Sequence, residues 1–97
     1  MVTQVLRSRE TCTEAGWDAY DCMLSGPLEE ETILSLRPLG GFLYLKALKV
    51  PFFKVEDGSS VIRGVLGGDC VRVAAHRGRI EERLREVLEV LGEGPPH

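Results

Sequence analysis

The last third of the chain carries the pattern that most limits the folds open to it. Two short apolar stretches, Val61 to Leu66 and Val71 to Ala75, flank Gly67-Gly68-Asp69 and lead into an amphipathic segment ending at Leu91. In the first stretch Ile62, Gly64 and Leu66 alternate with Val61, Arg63 and Val65, the period of a half-buried strand. Further on, Ile80, Leu84, Val87, Leu88 and Leu91 recur at helical spacing and form one stripe, with a helix expected from about Gly78. Glu81, Arg85 and Glu89, each four residues apart, place paired charges on the outer side of that helix. Gly92 is positioned to cap it, and Pro95-Pro96 forbids its continuation. A hairpin that feeds a helix in this way requires a mixed α and β domain with the helix folded back onto the sheet.

Turn chemistry and charge give the expected registers. Asp57-Gly58 is a hairpin signal. A two-residue loop there pairs Phe53 with Ile62 and Lys54 with Val61, whereas a four-residue loop sets Lys54 against Arg63, which like charges disfavour. Both registers put Phe53, Val55 and Ile62 on one face. For the next hairpin, a Gly68-Asp69 loop pairs Leu66 with Val71, Gly64 with Val73 and Ile62 with Ala75, and keeps Arg63 away from Arg72. That register is the expected one. Gly64 is expected beneath a bulky cross-strand neighbour.

Upstream, Val2 to Leu6 and Trp17 to Leu24 read as strands, the second with Asp18, Tyr20, Cys22 and Leu24 on one face. Ser25-Gly26-Pro27 before Glu29-Glu30-Glu31 is a helix start, and Pro38 with Gly40-Gly41 is a stop. The apolar stripe between them is thin, so residues 27–37 are compatible with helix or strand. Phe42 to Val50 is apolar on both faces, the pattern of a central strand covered on both sides, and Pro51 ends it. The expectation is therefore one α+β domain over residues 1–92. It would hold an antiparallel sheet of four to six strands with two helices on one face, a ferredoxin-like type of architecture, and a flexible tail at 93–97.

Charge and composition narrow the function classes. The net charge is −3, which disfavours a general nucleic-acid binder, and only residues 42–75 carry a basic excess, with five basic and three acidic side chains. No apolar run approaches the ~20 residues of a membrane helix, and the N-terminus lacks the pattern of a secretion signal, so a cytoplasmic protein without membrane contact is expected. The chain contains no Asn and a single Gln, with many Glu and Arg, a balance expected of a thermophile. Cys12, Cys22 and Cys70 stand at unrelated spacings and read as small buried hydrophobes.

Two places qualify as candidate sites. His76, Arg77, Gly78 and Arg79 stand at the start of the last helix, where backbone N–H groups and two guanidinium groups could hold a phosphate or carboxylate. Glu81 and Glu82 in the same first turn oppose that. Arg63, Val65 and Arg72 lie on the outer face of the last hairpin, an apolar and arginine mixture that suits an interface or a second packing layer. No metal spacing or nucleophile–base pair is present in the sequence, and Gly64-x-x-Gly67-Gly68 lies between strands rather than ahead of a helix as a phosphate loop does. Gly41 to Tyr44 lacks the basic residue and later aromatic of an RNA-binding strand. The expected function is a non-enzymatic interaction or self-association module without a cofactor, forming a homo-oligomer. The alternative is a regulatory domain binding an anionic metabolite at His76 to Arg79, and an enzyme using His76 as base ranks last.

Overall fold

The computed structural model describes residues 2–8 and 16–92. Cys12, His97 and the tail expected at 93–97 lie outside the described residues. Among the described residues six strands form one antiparallel sheet: β1 (Val2–Arg7), β2 (Trp17–Leu24), β3 (Gly41–Leu45), β4 (Phe52–Glu56), β5 (Ser60–Val65) and β6 (Cys70–His76). Their spatial order is β1-β2-β6-β5-β4-β3. The described residues also hold two helices, α1 (Glu30–Ser35) and α2 (Ile80–Leu91), and a short 3-10 turn follows α1 at Arg37–Leu39. Residues 27–37 are thus helical over most of their length. The order of elements, β-β-α-β-β-β-β-α, differs from the β-α-β-β-α-β order of ferredoxin-like domains.

Strand alternation sorts every side chain to one of two faces. Cys22, Phe53, Val55, Ile62, Val71, Val73 and Ala75 share one face and one buried cluster with Leu28, Ile33 and Leu36 from the α1 segment. Ile80, Val87 and Leu91 of α2 join the same cluster, with Leu84 and Leu88 at its margin. The stripe expected for the last helix is therefore its buried side. No strand residue of the opposite parity belongs to this cluster.

Both hairpin registers differ from the charge-based expectation. Lys54 stands directly opposite Arg63, across a loop that begins at Asp57 and ends at Ser60. Asp57 shapes that loop: its carboxylate accepts from the Ser59 amide (3.1 Å), the Ser59 hydroxyl (3.2 Å) and the Ser60 hydroxyl (2.8 Å). Such an Asx-type cage outweighs the two-residue preference of Asp-Gly. Lys54 meets its counter-charge on its own strand, Glu56 at 2.9 Å.

In the second hairpin Arg63 pairs with Arg72 and Ile62 with Val73, the register that charge avoidance had disfavoured. Gly67 adopts φ +80°, and the Gly68 amide donates to the Val65 carbonyl at 3.0 Å, a turn with Leu66-Gly67 at its centre in place of Gly68-Asp69. Three other segments hold the same turn by backbone bonds: Leu24 N–H to the Asp69 carbonyl, Leu66 N–H to Pro51, and a reciprocal pair between Leu28 and Gly67-Gly68. Asp21 on β2 receives the Arg72 guanidinium at 2.8 Å, so the arginine pair has a carboxylate beside it. The realised registers also seat Gly64 against Phe53, where a Cβ would come within 2.9 Å of the ring.

The apolar segment 42–50 is not a central strand. It contributes β3, an edge strand paired only with β4, and it leaves the sheet after Leu45. Phe42 and Tyr44 pack against the core, while Leu43 is 43% and Leu45 37% exposed. Hydrophobicity on both faces here marks one covered face and one uncovered one. β1 forms the other edge, with a register shift between Val2 and Gln4. The Val2 amide donates to the Gly92 carbonyl at 2.7 Å, tying this edge to the end of α2.

Candidate functional site

Arg63, Val65 and Arg72 fall on the sheet face opposite the buried cluster. Cross-strand pairing lines up Leu6, Asp21, Arg72, Arg63, Lys54 and Leu43 as one row across all six strands. Three of these six carry positive charge and one is acidic. The neighbouring row sets Leu45 beside Phe52 and Phe52 beside Val65. Phe52, Arg63, Val65, Cys70 and Arg72, with the Gly68-Asp69 turn, line a shallow depression of ≈ 220 Å³. The structure therefore brings the three expected interface residues into one concavity, with the aromatic Phe52 added to the set. Leu43, Leu45, Leu48, Val50 and Val65, five of the seven large exposed hydrophobic side chains among the described residues, cluster in the β3-to-β5 part of the chain.

The start of α2 is built differently. His76 closes β6 and residues 77–79 turn into the helix. The turn's amides have partners: Arg77 N–H donates to the Gly16 carbonyl, Gly78 N–H to His76 Nδ1 at 3.3 Å, and Arg79 N–H to the His76 carbonyl. Arg79 bridges Asp57 at 2.9 Å and Glu82 at 3.1 Å, and Arg77 lies 3.7 Å from Asp18. His76, Arg77, Gly78 and Arg79 are thus contiguous, but their guanidinium groups face carboxylates of the same chain. An incoming anion would have to displace those carboxylates.

Behind that turn lies a polar network that pattern reading missed. Arg83 of α2 is 1% exposed. Its guanidinium donates to Ser60 Oγ at 2.7 Å, to the Leu39 carbonyl and to Glu86 at 3.2 Å, and it lies 3.3 Å from Asp57. One carboxylate, Asp57, therefore serves Ser59, Ser60, Arg79 and Arg83. Desolvation pushes its pKa up, but hydrogen bonds from Arg79, Ser60 and the Ser59 amide, with the Arg83 charge, outweigh it and hold the carboxyl below the ordinary Asp range. The signal for Arg83 was present in its position: residues 80, 83, 87 and 91 share one side of the helix, so a charge at 83 faces the sheet. Every buried side-chain polar atom among the described residues has a partner, so this network is closed.

Cys22 is buried, and desolvation, with Asp21 and Cys70 nearby, raises its thiol to about 11. A thiol held that high stays protonated at neutral pH and is a poor nucleophile. Among the described residues no three His, Cys, Asp or Glu side chains converge as metal ligands, and no described helix is long and apolar enough to cross a membrane. No family model, curated protein or solved structure matches this chain, so a functional reading rests on its own geometry.

Proposed function

We propose that this protein is a non-enzymatic self-association module, and that it meets a second copy through the β3-to-β5 region of the sheet and its cluster-free face. The observation that carries this reading is the placement of apolar side chains: β4 and β5 bury Phe53, Val55 and Ile62 on one face, while β3 and β5 leave Leu43, Leu45 and Val65 at 37–43% exposure on the other. A contiguous exposed apolar surface on a small soluble domain is a mark of an interaction site. Arg63 and Arg72 beside Phe52 and Val65 give the mixture of guanidinium and aromatic surface that interfaces favour.

Sedimentation velocity over a wide range of protein concentration tests the reading. The expected result is a mass that rises with concentration toward a multiple of the single chain. A mass equal to one chain at every concentration would overturn it.

A further inference from the structure

The two edges of the sheet are not equivalent, and the difference points to one of them as the seam. Natural proteins protect open sheet edges with bulges, charges or proline. β1 carries such devices: a register shift, Thr3 and Gln4 in the strand, and Arg7 paired to Asp18 at its end. β3 carries none of them. Its five residues, Gly41-Phe42-Leu43-Tyr44-Leu45, contain no ionisable group that is charged at neutral pH, no proline and no register shift against β4. Its exposed leucines continue into Leu48 and Val50, which are 49% and 56% exposed.

We infer that β3 pairs antiparallel with β3 of a second copy about a two-fold axis at Leu43, joining two sheets into one of twelve strands. This inference rests on the self-association reading and specifies its geometry. The sequence of β3 is self-complementary in that register, as a two-fold interface requires. Leu43 meets Leu43 of the second copy, Phe42 meets Tyr44, Gly41 meets Leu45, and it is the one antiparallel register that pairs all five residues. A two-fold axis perpendicular to the sheet keeps each face on its own side. Aromatic pairs Phe42–Tyr44 then extend the core side, where these two rings already lie 6.2 Å apart within one chain, and the leucines extend the other side. Charge is compatible as well: Lys46, the first cation after β3, falls opposite Gly40 of the second copy, so the lysines sit at opposite ends of the seam. Pairing β3 with β1 instead would be head-to-tail and would leave a free edge at each step, giving an open ribbon. A five-residue edge is short against the roughly 1,600 Å² of a standard interface, so the pairing is expected to be reversible and concentration-dependent.

Leu43→Lys and Leu43→Glu, each prepared alone and then mixed, test the register. Position 43 faces itself across the axis, so each variant alone puts like charges in direct opposition. The expected result is loss of the dimer for each variant at a concentration where the unchanged chain is half dimeric, and its return on mixing the two. Circular dichroism matching the unchanged chain shows that each variant remains folded. Val5→Lys on the β1 edge is expected to leave association unchanged. If the unchanged chain associates and both variants associate equally well alone, the β3 seam is overturned while self-association stands. If the unchanged chain is a monomer throughout, the self-association reading fails and the seam with it.

Discussion

The two faces of this sheet are made from alternate residues of the same strands, and they obey different rules. On one face Phe53, Val55, Ile62, Val71 and Val73 are fully buried in the cluster that also holds side chains of α1 and α2, and each guanidinium nitrogen of the buried Arg83 has a hydrogen-bond partner. On the other face Phe52, Lys54, Arg63, Val65 and Arg72 keep partial contact with solvent, and like charges stand directly opposite one another. Close packing fixes the first face; on the second, water and nearby carboxylates tolerate arrangements that a buried face would reject. The same backbone registers serve both faces, so the demanding face sets them and the tolerant face accepts the result.

Neighbouring residues on opposite faces should differ most in what they contribute to stability. Phe53→Ala should cost about 3–5 kcal/mol by urea unfolding, the range for removing a buried aromatic. Phe52→Ala, one residue away on the other face, should cost about 1 kcal/mol or less. Equal losses would show that the second face is as tightly covered as the first. Next comes the buried network. Asp57→Ala removes the carboxylate shared by Ser60, Arg79 and Arg83, leaves Glu86 as the remaining counter-charge of Arg83, and should cost about 2–3 kcal/mol. The same carboxylate predicts an acid limb. Its folded pKa lies below the unfolded value of about 3.9, so its stabilisation is complete above about pH 4 and is lost as pH falls further. Urea midpoints measured between pH 6 and pH 2 should fall in that acid window, and Asp57→Asn should flatten the fall.

A smaller effect belongs to the contact between the two strands themselves. Gly64→Ala drives a methyl into the Phe53 ring and should cost about 1–3 kcal/mol. Combining it with Phe53→Leu should cost less than the sum of the two single changes, because they share the contact. Least of all, Arg63→Ala at the exposed centre of the cationic row should change stability by no more than about 0.5 kcal/mol.

Alternation along β2, β4, β5 and β6 and the stripe of α2 were legible in the sequence, because each is a local period imposed by one buried face. The parity of Arg63, Val65 and Arg72 was legible for the same reason. The hairpin registers were not. Treating Lys54, Arg63 and Arg72 as pairs left out Glu56 on the same strand and Asp21 on β2, the carboxylates that make those juxtapositions tolerable. The edge position of β3 was hidden because apolar residues on both sides of a strand look alike whether one side is covered or bare. The inward side of Arg83 was readable from its helical position, but its partners, Ser60, Asp57 and the Leu39 carbonyl, were not, because they come from two distant segments. For the candidate site, the sequence placed His76 to Arg79 at the helix start but could not foresee that Asp57, Glu82 and Asp18 would stand against their guanidinium groups.

The turn at Gly67 has a consequence for how this molecule opens. Gly67 is surface-exposed, yet its amide is held by the Leu28 carbonyl at 2.8 Å, while the Leu28 amide is held by Gly68 at the same distance. A turn amide of a self-sufficient hairpin exchanges with solvent when that hairpin frays. These two amides are released only when the segment ahead of α1 lifts from the sheet, so deuterium uptake at Gly67 reports the undocking of a segment nearly forty positions earlier in the chain.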